Sequence, residues 1–470
     1  MEGYLRRVAR PIAVLSAPLV GFFLIQNAVS LATLAMVGRL GSAALAGVGL
    51  ASVLFTLLLA LLYGLDTGAQ AIVSRATGAG EPRQAGAALT QALALGAPLG
   101  LALCAVAFLA GPAVLTAMLG PGAAASTGAA FLRAASPALL LFGLTIPFNA
   151  AWIASGRPTV AFAVTAAVAP CQVLASFLLI HSANLGAPGA GMAMTAAGVL
   201  TLGLQAAIAW RWAPVPGLFA RRLSRAGLGD IVRIGWPVSV QQSLSQACLL
   251  GAFAIVARLG VAEVAVINVL NNLMLAPIQL AVGLGVAAAT LVGQSLGRGE
   301  RPEARRWGWR AATAGAVLAT PLGLIVLAAP ETVLPLFISD PAVVAMAVWP
   351  ARLLAAVVSL DIFARVLGFA LRGAGATKAA TFVPFITQGA LLLPMLWIVA
   401  IVLGRGLPGF VAVEAAMLAI EALVYIVIWR SPLWVNVPIA GVGLAVERHE
   451  EFAFDDPLAG DLAPGGHVGA

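Results

Sequence analysis

Few of the 18 acidic residues in this 470-residue chain lie where charge is costly, and those few direct the reading. Asp361 sits in the apolar run Ser359-Leu360-Asp361-Ile362-Phe363, four residues before Arg365 and eleven before Arg372. On a helix the four-residue spacing brings Arg365 into reach of an ion pair with Asp361. A carboxylate so placed offers two chemistries: binding and release of a proton or other cation, or a standing pair with Arg365 that a cation must displace. Glu414 and Glu421 lie two turns apart on one helix face. Glu421 falls mid-run and suits a second proton or cation site, whereas Glu414 reads as a side chain snorkelling to the outer surface. Asp66, just after Gly64-Leu65, supplies an acid to the first half or caps a helix end. Asp361, Arg365, Glu421 and Asp66 are therefore the candidate coupling residues.

Other chemistries lack their residues. The single lysine, Lys378, is followed by Ala379, so there is no GxxxxGK[ST] phosphate-binding loop. His181, His449 and His467 form no HExxH pattern, and Cys104, Cys171 and Cys248 stand singly, so no metal site, disulfide or cofactor is expected. Gly293-Gln294-Ser295-Leu296-Gly297 satisfies GxSxG, but a nucleophile elbow needs a strand before it and a triad histidine after it. At the end of an apolar helix it reads as tight packing, and the chain as no enzyme.

The elements that position these groups follow from composition. Hydrophobic residues make up 61% of the chain and charged residues 9%, against roughly 25% charged in soluble domains. Such a chain cannot maintain a water-facing surface, so its solvent is a lipid bilayer, where an ionisable group at the centre costs about 2.5–3.5 kcal/mol on insertion scales. Continuous apolar runs of ~20 residues mean helices, because a barrel would alternate in ~10-residue segments. Twelve spans are expected: 12–36, 43–72, 85–110, 129–152, 159–181, 188–210, 232–257, 262–292, 309–329, 342–370, 379–403 and 408–429. Most of the 26 basic residues fall in alternate loops, including Arg211 to Arg233 and Arg298 to Arg310. The excess of positive charge marks the cytoplasmic side, so both termini are expected there. The net charge of +8 is thereby read as topology, not as a nucleic-acid surface.

An internal repeat runs through the chain with an offset of 219 positions, as from Pro18 to Pro237. The same offset takes Arg39-Leu40-Gly41 to Arg258-Leu259-Gly260 and Gly64-Leu65 to Gly283-Leu284. It also takes Gly78-x-Gly80-Glu81 to Gly297-x-Gly299-Glu300, and Gly156 to Gly375. Two six-helix halves of like orientation follow, related by a pseudo-two-fold axis along the membrane normal. The expected division is an N-lobe at 1–210, a basic linker at 211–231, a C-lobe at 232–429 and a disordered polar tail at 430–470. Asp361 has no counterpart at Phe142, nor Asp66 at Gly285.

The segment GWPVSVQQSLSQ…ARLGVAEVA…NVLNNL…GLGVAAATLVGQSLGRGERPEARR, at positions 235–306, has a shorter echo at 37–86. It resembles the multidrug and toxic compound extrusion (MATE) family, nearer its NorM-type branch, over all but the tail. The resemblance implies a V-shaped all-α bundle in which drug and cation are exchanged by alternating access. It implies a cation role for Asp361, from its spacing to Arg372-Gly373, and substrate contacts for Asn268 and Asn272. Gln246 and Ser245 join that set, Ser245 standing where the NorM-type branch has Glu. The family's helix-1 acid is replaced by Thr33, and the helix-5 pair of its DinF-type branch by Gln172 and Ser176. Arg365 is outside the family pattern.

The function expected is proton-driven antiport of amphipathic organic cations, by a monomer in the inner (plasma) membrane. The alternatives are Na⁺-coupled export and, given Arg133, Arg352 and Arg365, a lipid-linked oligosaccharide flippase.

Overall fold

Apolar runs long enough to span a bilayer become helices because no water is there to satisfy backbone N–H and C=O groups. The structure, a computed structural model, describes residues 10–212, 223–337, 340–432 and 434–435, and no strand occurs among them. Twelve of its helices are long and apolar enough to cross a membrane. In the first half these are α1 (Arg10–Gly38), α2 (Ser42–Gly78), α3 (Pro82–Leu109), α4 (Pro137–Ala154), α5 (Pro158–Phe177) and α6 (Ala187–Trp212). The second half contains α7 (Arg225–Ala257), α8 (Val261–Gly297), α9 (Arg301–Ala328), α10 (Pro341–Gly373), α11 (Thr377–Val402) and α12 (Gly406–Arg430). Large side chains stand exposed on the outer faces, among them Leu109 at 74% and Val427 at 68%, a surface suited to lipid and not to water.

The boundaries differ from the sequence expectation in a consistent way. α2 and α8 run on to Gly78 and Gly297, and α9 begins at Arg301, because charged residues at helix ends reach the interface without ending the helix. α7 begins at Arg225, inside the expected 211–231 linker. Ser224 caps it, its Oγ accepting from the Gly227 N–H at 3.0 Å. The expected fourth span is divided at Ser136, where Pro137 opens α4 and Ala123–Ala135 forms a separate helix. α11 contains π-helical turns at Phe385–Leu392 and Trp397–Val402. Residues 436–470 of the expected tail, and 213–222 of the expected linker, lie outside the described residues.

The 219-residue offset reappears in the backbone. Gly41 and Gly260, Gly80 and Gly299, and Gly156 and Gly375 are repeat partners, and all six adopt positive φ between 71° and 155°. Only glycine takes such turns without strain, which is why these positions of the repeat are glycine in both halves.

The halves meet along α1 and α2 of the first and α7 and α8 of the second. Gly64 of α2 lies on Gly235 and Ser239 of α7, and its repeat partner Gly283 of α8 lies on Val20 of α1. Toward the loops rich in arginine the approach tightens. A Cβ on Gly78 would fall 2.0 Å from the Gln294 carbonyl oxygen, and one on Gly297 would fall 2.1 Å from that of Arg75. The side chains cross the same seam reciprocally. Arg75 Nη2 donates to the Ala374 carbonyl at 2.6 Å, and its repeat partner Gln294 donates through Nε2 to the Ala154 carbonyl at 2.8 Å. Both acceptors sit at helix C-termini, where carbonyls lack intrahelical partners and a cation is favoured. Gln70 adds longer contacts to Val286 O and Thr290 Oγ1, at 3.5 and 3.4 Å. Leu15, Leu19, Ile153 and Ala161 close an apolar cluster with Val286 and Ala287.

Candidate functional site

A polar centre lies inside the second half, where α10, α11 and α12 face one another with α7 alongside. On α10 one helical turn brings Arg365 onto Asp361, and its Nε lies 2.9 Å from Oδ1 and 2.8 Å from Oδ2. The Asp361 side chain is 13% exposed and that of Arg365 34%. Both carboxylate oxygens are thus drawn to one cation, a charge-assisted arrangement stronger than neutral hydrogen bonds. The standing pair anticipated from the spacing is therefore formed.

Glu421 of α12 shares the field of Arg365 with Asp361. Its immediate partners are neutral and come from the first π-helical turn of α11. Thr387 Oγ1 and Gln388 Nε2 each lie 3.4 Å from Oε2. Gln388 is held from its other end by Ser245 of α7, whose Oγ donates to Oε1 at 2.9 Å, while the Cys248 thiol donates to the Gln388 carbonyl. The wide turn admits an extra residue into α11, re-aiming side chains so that Gln388 faces two neighbouring helices. One turn further along α12, Tyr425 donates to the Ala380 carbonyl at 2.8 Å. Arg372 donates to Gln241 Oε1 at 2.7 Å and lies over the Phe369 ring.

The structure thus brings together Asp361, Arg365, Glu421 and Ser245 among the expected residues. It leaves the others apart. Asn268 and Asn272 are exposed on α8, and Asn272 donates back to the Asn268 carbonyl of its own helix. Gln246 is partly exposed, with no hydrogen bond to the carboxylates among the described residues. Asp66 of α2, in the other half, takes no ion pair among the described residues, and Glu414 takes none either. Gln388 and Thr387 are not among the residues expected from the sequence. A Thr-Gln pair amid apolar residues, 33 positions before Glu421, was the available signal. Among the described residues no cluster of histidine, cysteine or carboxylates is arranged to hold a metal.

The MatE family model matches residues 18–178 and 237–398, once on each half and starting at the paired prolines Pro18 and Pro237. This chain belongs to the MatE family. A probable multidrug resistance protein NorM of Deinococcus radiodurans is 29% identical over 346 residues, covering 70% of this chain and 73% of the relative. Another from Bradyrhizobium diazoefficiens is 26% identical, covering 84% and 87%. Among solved structures, a multidrug resistance MATE family transporter in an outward-facing conformation superposes with a TM-score of 0.84 at 19% identity, covering 89% of this chain and 94% of that one. A MOP superfamily transporter from Pyrococcus furiosus, described as having a binding pocket of reversed polarity, superposes at 0.83 with the same coverage and identity. These structural likenesses establish the fold: twelve helices in the V-shaped arrangement of MATE transporters, in a multi-pass membrane protein. Within this MatE member, the polar centre lies wholly in the second half.

Proposed function

We propose that this chain is a secondary exporter of amphipathic organic cations, exchanging them for protons by alternating access across the inner membrane. The observation carrying this reading is the C-half centre: two carboxylates and two guanidiniums enclosed by apolar helices, with neutral donors beside Glu421. Charge so placed is expensive to maintain unless ions or charged substrates use it. The MatE membership and the multidrug resistance names of the relatives support the efflux assignment. The seam between the halves is drawn tight at the arginine-rich end. By the positive-inside rule that end is cytoplasmic, which makes this a state closed on the inward side. Helices α1–α6 and α7–α12 are then the two moving lobes.

The arginines argue for cation export over an anionic lipid substrate. Two of the three arginines behind that alternative are neutralised, Arg365 by Asp361 and Arg352 by Glu331 at 3.3 Å, while Arg133 lies over the Phe108 ring outside the polar centre.

The test is efflux of a fluorescent organic cation from vesicles under imposed pH or Na⁺ gradients. A pH gradient is expected to drive protein-dependent efflux without sodium. Efflux that follows sodium at fixed pH refutes proton coupling, and no cation movement under either gradient refutes the exporter reading.

A further inference from the structure

The two carboxylates of the C-half centre are not equivalent. Asp361 has both oxygens within 2.9 Å of Arg365 Nε, so protonating it requires breaking a charge-assisted contact. Glu421 is held by nothing of that kind. The Thr387 hydroxyl has one proton to give and can donate it to the Val383 carbonyl at 3.0 Å or to Glu421 Oε2 at 3.4 Å. While Glu421 is ionised it therefore shares that one neutral donor with a carbonyl, over a long contact and with no cation among the described residues bonded to it. Once Glu421 carries a proton, the hydroxyl can give its own to Val383 and the same contact can reverse, with Glu421 donating and Thr387 Oγ1 accepting. Gln388, pinned by Ser245, donates to Glu421 in either state.

Resting on the exporter reading above, we infer that Glu421, and not Asp361, is the carboxylate that exchanges the proton for the substrate cation. Asp361 serves to hold Arg365, a built-in cation that keeps the pair neutral throughout the cycle. The groups facing Glu421 are Asp361, Arg365 and Arg372 from α10 and Tyr425 on α12 itself. From α11 and α7 come Thr387, Gln388, Ser245 and Cys248. A proton entering from outside adds to a Glu421 oxygen, cancels its charge and releases the bound organic cation outward. On the inward side the proton leaves to the cytoplasm and the carboxylate binds the next cation. One positive charge enters for each that leaves.

A single exchanging carboxylate fixes a stoichiometry of one proton per monovalent cation, and this is measurable. The experiment uses the full chain in proteoliposomes with ethidium as substrate. It follows the protein-dependent ethidium gradient at a series of imposed pH differences, with and without an imposed K⁺ diffusion potential. One-for-one exchange sustains an about tenfold ethidium gradient per pH unit, with no response to potential. In Glu421→Gln both the pH-driven gradient and the exchange of internal for external ethidium fall, because the amide neither takes up the proton nor attracts the cation. Glu421→Asp restores the pH response. The Asp361→Asn/Arg365→Met double variant works more slowly but keeps the tenfold slope.

The inference is overturned by a wild-type slope near a hundredfold per unit that responds to potential, because two protons would then exchange. It is equally overturned if Glu421→Gln keeps the wild-type slope, or if the double variant loses it. A wild type that moves ethidium with no response to pH difference sinks the proton-coupled reading itself, a result distinct from these. The wild-type slope needs no variant, so the test stands even if Glu421→Gln fails to fold.

Discussion

Arg75 and Gln294 occupy equivalent positions in the two halves, yet one is a cation and the other a neutral amide. Each bonds a helix-end carbonyl of the opposite half. Arg75 is 2% exposed, so little water competes for its bond. A hydrogen bond to a charged group contributes about 1.5–3 kcal/mol and a neutral one about 0.5–1.5 kcal/mol. At about 1.4 kcal/mol per factor of ten, Arg75→Met is expected to raise the population opened at this seam about 10- to 150-fold, and Gln294→Leu about 2- to 12-fold. Thr290 is a suitable reporter, being fully buried in the seam beside Gln70. In a chain with Cys104, Cys171 and Cys248 replaced by serine, Thr290→Cys is labelled by a membrane-impermeant maleimide applied at the arginine-rich end. Labelling rates should rise in the order parent, Gln294→Leu, Arg75→Met. Rates within about twofold of the parent for both variants, or the reverse order, refute the argument that these bonds hold the halves together.

Three further outcomes follow from the packing. Gly297→Ala sets a Cβ against the Arg75 carbonyl with only backbone to yield, so it should open the same seam by overpacking worth about 1–3 kcal/mol, read as faster Thr290→Cys labelling. Asp361→Asn should lower the melting temperature in detergent more than the Asp361→Asn/Arg365→Met double change. The single variant strands a partly buried guanidinium and the double does not, so equal melting temperatures would contradict the ion-pair reading. Trp429, fully buried, stacks on Trp434 with ring centroids 4.0 Å apart and lies against Gly308. Trp429→Ala should cost about 3–5 kcal/mol, seen as a large drop in melting temperature with the pH slope of transport unchanged.

The sequence alone determined the architecture, because in a bilayer the backbone leaves few choices. An apolar run must be a helix, a Gly with positive φ must remain Gly, and charge must gather at one end of each span. Those constraints are local, and the spacing of Pro18 and Pro237, or Gly80 and Gly299, records them directly. The Asp361–Arg365 pair was legible for the same reason, both partners lying one turn apart on a single helix. Where helices ended was less legible, since Arg75 resembles a loop residue until the packing of the halves shows α2 continuing past it to Gly78.

Contacts between helices distant in sequence were decided by the tertiary structure. Gln388 meets Glu421 and Ser245 because a π-helical turn in α11 rotates it toward both α12 and α7, a rotation that helical spacing does not encode. Arg75 and Gln294 become partners in a seam only when α2 and α8 lie across from α10 and α4. Asn268 and Asn272, credited with substrate contact by their place in a family pattern, are exposed on α8 and take no part in the polar centre. The surroundings that distinguish Glu421 from Asp361 are partners from α11, themselves held by α7, and those exist only in the folded bundle.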